Sequence, residues 1–200
     1  MTDISELDRK AVDHSVALVS QAGPADLARP TPCADWDLAR LLTHMTVQHR
    51  GFAAAARGSG GDPRLWRMGD TAPDPVAAYL AASADVIAAF AETGVRERDF
   101  ELPEFGPGFR APGAQAIGFH FIDYVVHGWD VARALGLRYE LDPDLVEPAL
   151  RITQAVPDGE IRLRPGAPFA LALPATGEAD PLYRILTHLG RSPYWPDAVK

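Results

Sequence analysis

The chain has 200 residues, of which 47% are hydrophobic and 23% charged, a composition typical of a globular protein with a substantial core. Its single cysteine, Cys33, excludes a disulfide framework and a multi-cysteine zinc finger, and it indicates a reducing compartment. The formal net charge of -8 has the wrong sign for neutralising phosphates, so we predict no nucleic-acid partner.

The N-terminal stretch does not have the pattern of an export signal. Acidic residues occur in MTDISELDRKAVDHS where a signal peptide would have basic residues followed by an apolar run. No segment approaches the roughly 18 consecutive apolar residues of a membrane span. We therefore predict a cytoplasmic protein that does not associate with a membrane.

Two amphipathic helices are predicted in the first third of the chain. Apolar residues recur at helical spacing over residues 6–21, and Gly23-Pro24 ends this segment. The second helix is predicted over residues 38–57, because the side chain of Asp37 can accept its first free backbone N–H groups. The glycine-rich stretch GSGG then ends that helix.

Two further helices flank a segment of different character. Asp74 is a predicted cap followed by proline, and helical periodicity continues from there until Gly94. Residues 95–113 show short apolar-polar alternation, which predicts an irregular loop or small hairpin that covers a pocket. Pro112 opens the fourth and most apolar helix, which Gly136 ends, and we expect this helix to be buried on most sides.

The last third of the chain predicts shorter elements. A cap at Asp142 starts a helix over residues 143–156, in which Pro148 predicts a kink or weak point. A short strand is predicted over residues 169–173, and a final helix over residues 181–189.

These elements predict a mainly α fold. Four long helices with connections of moderate length favour a four-helix bundle, here residues 1–138. Residues 139–200 are predicted to form a small α or α+β appendage packed on that bundle.

The residues best suited to chemistry lie on the fourth predicted helix. At about 100° per residue, His120, Asp123 and His127 fall within one narrow stripe among small and apolar residues. Asp123 and His127 are four residues apart, so they project from successive turns and can bind one cation together. Burying an ionised aspartate in such a helix costs several kcal/mol unless a partner such as a cation neutralises it.

The spacing leaves alternatives open. Asp123 can instead pair with an arginine or with His127 in a buried structural contact without a metal. His120 is either a core residue satisfied by hydrogen bonds or a neighbour of the site. A third ligand must come from another helix, and the second helix offers His44 at the edge of its apolar stripe and His49 in the middle. Spacing alone does not choose between these two histidines.

Three further residues have structural interpretations as well. Cys33 is interpreted as a small packed residue. Asp130 and Arg133 follow His127 on the same helix, where they form an ion pair or orient a ligand or the imidazole.

Two motifs carry a family resemblance. The segment TPCADWDLARLLTHM, with a histidine eight residues after its tryptophan, and the segment DYVVHGWDVARALG resemble the N-terminal family of mycothiol-dependent maleylpyruvate isomerase. That family lies within the DinB/YfiT-like superfamily of metal-binding four-helix bundles. The tail PLYRILTHLGRSPYW resembles a branch described generically as metal-binding proteins. The resemblance spans most of the chain.

The resemblance implies a specific set of metal ligands. The family holds its metal with a histidine on the second helix and with an acidic residue and a histidine four apart on a later helix. The matching positions here are His44, Asp123 and His127, so the resemblance selects His44 over His49. The isomerase has a glutamate where this chain has the shorter Asp123. Because of this difference, the resemblance is a weaker guide to catalytic activity than to metal binding.

Two neutral imidazoles and one carboxylate leave coordination positions open for water or substrate, as in catalytic zinc sites. Zinc is the leading candidate, and ferrous iron or nickel also suits this ligand set. The resemblance implies that a low-molecular-weight thiol such as mycothiol binds at the open position. A metal lowers the pKa of such a thiol, so the thiolate nucleophile belongs to the cosubstrate.

We therefore interpret the chain as a metal-dependent transferase or isomerase that uses a mycothiol-like thiol and a small-molecule substrate. The alternative is a metal or small-molecule binding module without catalysis, and a third interpretation is a structural domain with a buried Asp–His pair. An exposed apolar helix face would also permit a homodimer.

Overall fold

The computed structural model describes residues 3–33, 36–163, 168–174 and 180–197. These residues divide into two compact units, one ending at Leu137 and the other beginning at Arg138. The fold is mainly α, as predicted, with six α-helices and two short strands in the described part of the chain. None of those helices is long and apolar enough to cross a membrane.

Four long helices form the N-terminal unit. They are α1 (Ile4–Val19), α2 (Leu38–Ala56), α3 (Pro75–Phe90) and α4 (Gly113–Leu135). α1 packs against α4 and α2 packs against α3, and further contacts join α1 to α3 and α2 to α4. The predicted four-helix bundle is confirmed.

Local sequence explains where these helices begin. Asp3, Asp37 and Asp74 each accept a backbone N–H from the first turn of α1, α2 and α3, respectively. Such caps satisfy N–H groups that have no partner within the helix. The caps at Asp37 and Asp74 are the ones that the sequence predicts.

A small hairpin connects α3 to α4. Its strands are β1 (Asp99–Glu101) and β2 (Arg110–Pro112), paired antiparallel with Phe100 opposite Ala111. Phe100 and Ala111 are buried, so one face of the hairpin joins the core. Gly113 at the junction with α4 has no room for a side chain, since a Cβ there would lie 2.1 Å from the Val95 carbonyl oxygen. The hairpin is one of the two alternatives predicted for residues 95–113.

A chain of buried hydrogen bonds crosses all four helices of the bundle. His120 Nδ1 on α4 lies 2.6 Å from Asp8 Oδ1 on α1, and His120 Nε2 lies 3.0 Å from His49 Nδ1 on α2. His49 Nε2 lies 3.0 Å from Ser83 Oγ on α3. All four side chains are at most 1% exposed. Each helix therefore contributes one polar group to a network that excludes water.

Hydrogen-bond direction assigns the protons in this network. Ser83 donates its hydroxyl proton to the Tyr79 carbonyl oxygen, so its oxygen accepts from His49 Nε2–H. Burial and the neighbouring His120 hold the pKa of His49 well below its ordinary value, so His49 is neutral and its Nδ1 accepts from His120. Burial raises the pKa of Asp8, which places one proton between Asp8 and His120.

The C-terminal unit contains α5 (Pro143–Ala155) and α6 (Pro181–His188). α5 runs through Pro148, the position at which the sequence predicted a kink or weak point. The strand predicted over residues 169–173 is wrong, because these residues have no strand in the structure. Their backbone groups bond elsewhere: the Ala170 carbonyl accepts from the buried Arg162, and the Leu173 N–H donates to the Thr187 carbonyl. Without a neighbouring strand, an apolar run of this length forms no ladder.

Replacing Asp8 tests the buried network. We expect Asp8→Ala to lower the free energy of unfolding by about 1–3 kcal/mol, because the buried Nδ1 of His120 loses its hydrogen-bond partner. Urea denaturation measures this change. Asp13→Ala is the control on the same helix: Asp13 is exposed and bonds to Arg9, so its loss should cost less than about 0.5 kcal/mol. Equal effects of the two substitutions would contradict the assignment.

Candidate metal centre

The antiparallel helices α2 and α4 bring three predicted ligand residues together. His44 on α2 faces His127 on α4, with ring centroids 5.1 Å apart. Asp123 lies one turn before His127, and its Oδ1 is 3.3 Å from His127 Nε2. One ligand atom from each of the three side chains lies within 4.8 Å of the others. Their assignment as metal ligands stays a prediction. The geometry meets the first requirement of such a site, which is that the three ligand atoms lie close together.

The positions of these residues follow from the helix patterns. The apolar stripe of α2 points into the core, and His44 lies at its margin, half-buried and in contact with the Trp36 ring. His49, in the middle of the stripe, is fully buried. A histidine at the margin can face both a partner helix and a ligand, which a core histidine cannot do.

His127 is held from behind by a buried carboxylate. Asp130 Oδ2 lies 2.9 Å from His127 Nδ1, and the Cys33 thiol donates to the same oxygen at 3.0 Å. Metal-binding histidines usually donate their second ring N–H to a carboxylate in this way, which fixes the ring and its tautomer. Of the two interpretations of Asp130, this contact supports the one in which it orients the imidazole.

A second compact donor group surrounds the other ring nitrogen of His127. It consists of Cys33, His127 and Asp130. Its atoms are hydrogen-bonded to one another, since Asp130 accepts from both the thiol and Nδ1. An ion there would have to break both contacts. We therefore assign the Nε2 side, with His44 and Asp123, as the candidate metal centre.

The charge balance at His127 favours a cation. Burial alone would lower the pKa of His127, but the negative charge of Asp123 and the hydrogen bond with Asp130 raise it well above its ordinary value. Without an ion, the imidazole therefore carries a proton between two carboxylates. A divalent cation at Nε2 replaces that proton and neutralises Asp123, which compensates for the cost of burial.

His120 lies outside this centre, although it shares the stripe of Asp123 and His127. It bonds to Asp8 and His49, so the interpretation of His120 as a satisfied core residue is correct. Both of its ring nitrogens are engaged in these hydrogen bonds, so neither faces Asp123 and His127.

Sequence reasoning missed Glu104, a residue of the turn between β1 and β2. Its Oε2 accepts a hydrogen bond of 2.9 Å from Gln48 Nε2 on α2. The residue as a whole is exposed, but its carboxyl end points inward, and the loss of water around it raises its pKa to about 7. The charge of Asp123 contributes to this rise in pKa, while the hydrogen bond from Gln48 opposes it. The available signal was that Glu104 is the one charged residue of the turn at residues 102–109, where its neighbours are apolar residues, prolines and glycines.

A family model for the "Mycothiol maleylpyruvate isomerase N-terminal domain" matches residues 9–132. The chain belongs to this family. The match covers α2 and most of α1 and α4, and so includes all three candidate ligands.

Two curated relatives align with nearly the whole of this chain. They are the uncharacterized proteins Rv0738 and MT0763 from two strains of Mycobacterium tuberculosis, each 30% identical over 191 residues. The alignment covers 92% of this chain and 95% of each relative. The family member here and these mycobacterial proteins therefore correspond over nearly their whole lengths.

Solved structures show the same fold. The crystal structure of mycothiol-dependent maleylpyruvate isomerase matches with a TM-score of 0.58 and 12% identity, and a histidine-to-alanine mutant of it matches with 0.58 and 11%. Each match covers 78% of this chain and 71% of the isomerase chain. At this identity the likeness establishes the fold alone.

Metal titrations test the candidate centre. We expect zinc to bind one site per chain, His127→Ala to abolish measurable binding, and Asp130→Asn to weaken it roughly 10–100-fold because the imidazole loses its orienting carboxylate. Isothermal titration calorimetry measures both effects. His14→Ala, a histidine substitution on α1, is the control and should leave the affinity unchanged. Unaltered binding by His127→Ala would show that the ion lies elsewhere.

The pH dependence of that affinity has a definite sign. Because the pKa of His127 is raised in the ion-free protein, a proton occupies the nitrogen that the ion needs. Lowering the pH from 8 to 6 should therefore weaken zinc binding, and raising it should strengthen binding. Titrations across this range check the trend, and affinity independent of pH would contradict the raised pKa.

Proposed function

We propose that the chain binds one divalent metal ion through His44, Asp123 and His127 and uses it in a thiol-dependent transfer or isomerisation. The observation that carries this proposal is the convergence of the three side chains from two helices within 4.8 Å. Asp130, hydrogen-bonded to the rear nitrogen of His127, supports it, because the pair has the arrangement typical of metal-bound histidine. We infer that the site belongs to the bundle, residues 1–138, and that residues 139–200 are an appendage to it.

The donor set decides which ions suit the site. Two imidazoles and one carboxylate favour zinc, and they also suit ferrous iron or nickel. The side chain of Asp123 is one methylene shorter than glutamate, yet its Oδ1 approaches to 3.3 Å from His127 Nε2. The shorter acid therefore reaches the imidazole, which supports binding despite the substitution. Three protein ligands leave at least one coordination position for water or a substrate.

The family supports a thiol as cosubstrate. A divalent ion at this site would lower the pKa of a thiol that reaches it, so that the thiolate forms near neutral pH. The chain's own cysteine does not suit the role of nucleophile, because the Cys33 thiol is buried behind His127 and donates to Asp130. The attacking sulfur therefore comes from a small molecule, for which mycothiol is the candidate.

Metal content provides the first test of this function. Protein purified without a histidine tag or added metal should contain one equivalent of a single transition element by elemental analysis. Chelation should lower its melting temperature, because the ion binds the folded state and not the unfolded chain. Protein without metal, whose melting temperature does not respond to chelator, would favour the structural Asp–His pair instead.

A thiol-transfer assay tests catalysis. The metal-loaded protein should accelerate conjugation of mycothiol to a chromogenic electrophile such as 1-chloro-2,4-dinitrobenzene above the buffer rate. His127→Ala should reduce the rate to background, because the metal is lost, while His14→Ala should retain it. Stoichiometric metal with no acceleration towards any electrophile would favour the non-catalytic binding module.

A further inference from the structure

The turn between β1 and β2 is anchored on both helices of the candidate metal centre. Glu104 in this turn bonds to Gln48, which lies one turn beyond His44 on α2. The neighbouring Phe105 packs against Phe119, with ring centroids 5.3 Å apart. Phe119 lies one turn before Asp123 on α4. Since one anchor is four residues from His44 and the other is four residues from Asp123, the turn crosses the α2–α4 groove next to the ligands.

This placement puts a carboxyl group beside the centre without making it a ligand. The negative charge of Asp123 acts on Glu104, so the two carboxyl groups are within electrostatic reach. In the described part of the chain, the compact donor group formed with Asp123 has His44 and His127 as its other members, and Glu104 is not in it. The two anchors place Glu104 about one helical turn from the ligands, so a small molecule that extends from the centre along the groove would have Glu104 as a neighbour.

Gln48 and the aromatic rings prepare this carboxyl group for proton transfer. Gln48 is buried and holds one carboxyl oxygen, which fixes the orientation of the group. Phe105 contacts both Phe109 and Phe119, and these ring contacts hold the turn against α4. In the ion-free protein the loss of water raises the pKa of this carboxyl group to about 7. A divalent cation at the centre lowers this pKa again, so in the metal-loaded protein the group is a carboxylate that can accept a proton near neutral pH.

We propose that Glu104 is the proton-transfer residue of this site: it accepts the proton of the thiol cosubstrate and later delivers it to the product. The inference rests on the proposed function. In the first step the S–H bond breaks, the proton moves to the Glu104 carboxylate, and the electron pair stays on sulfur. In the second step that pair forms a bond to the electrophile. The proton then passes from Glu104 to the acceptor atom or leaving group that received the displaced electrons.

Proton counting tests this role without an activity assay. If Glu104 takes the thiol proton, mycothiol binding to the metal-loaded protein near pH 7 should release ~0 protons to the buffer. In Glu104→Gln the proton must leave the protein, so binding should release ~1 proton per thiol. Calorimetry of mycothiol binding in two buffers with different ionisation enthalpies measures this number. Glu97→Gln, an exposed glutamate before the same hairpin, is the matched control and should behave as wild type.

The outcomes separate this inference from the proposed function. Equal proton release by wild type and Glu104→Gln, with intact zinc and mycothiol binding, would overturn the role of Glu104 alone. Wild-type protein that binds neither zinc nor mycothiol would overturn the proposed function and this role with it. The thiol-transfer assay gives a second measurement. In it, Glu104→Gln should reduce the turnover rate on the order of 100-fold, while the affinity for zinc stays within threefold of wild type.

Discussion

The register between α2 and α4 is the constraint on which the candidate site depends. His49 and His120 meet at 3.0 Å, and the Tyr124 hydroxyl donates to the Met45 carbonyl at 2.5 Å. Residue numbers rise along α2 as they fall along α4, so these two contacts fix the antiparallel pairing. The same register places His44 opposite His127. A shift of one turn would move the partners about 5 Å apart and separate the donors.

Burying the hydrogen bonds that fix the register of α2 and α4 has an energetic consequence. A histidine chain in the core has a high desolvation cost unless each donor meets an acceptor, and a satisfied network resists any alternative packing. Asp8 and Ser83 terminate the chain on α1 and α3, so every ring nitrogen of the two imidazoles has a partner, and the second carboxyl oxygen of Asp8 is the one atom of the network that has none among the described residues. The network therefore specifies one arrangement of four helices, which hydrophobic contacts alone define less strictly.

The polar groups around His127 form a chain of contacts that runs from the interior of the bundle to the groove between α2 and α4. Cys33 donates to Asp130, Asp130 orients His127, and His127 faces Asp123. In the proposed holoprotein, the ion occupies the place that a proton holds in the ion-free protein. The residues of this candidate site all lie within the segment that matches the mycothiol maleylpyruvate isomerase N-terminal family. Its chemistry would then depend on what approaches from the groove, where the turn carrying Glu104 lies.

The helices and one half of the candidate site followed from local patterns. The aspartate caps and apolar periodicities predicted α1 to α4 within a few residues, because they act within a single turn. The pair of Asp123 and His127 was equally readable, since an i,i+4 spacing on one helix determines its own geometry. The strand expected over residues 169–173 failed because pairing requires a partner that an apolar run does not specify.

Contacts between distant segments were decided by the tertiary structure alone. Helical spacing allowed either His44 or His49 to join the pair on α4, and a family resemblance, not periodicity, favoured His44. Cys33 meets Asp130 across 97 positions of the chain, and Gln48 meets Glu104 across 56. Such meetings depend on how helices pack and rotate against one another. The sequence by itself determined which faces each helix would bury, and packing of those faces determined which polar groups would meet.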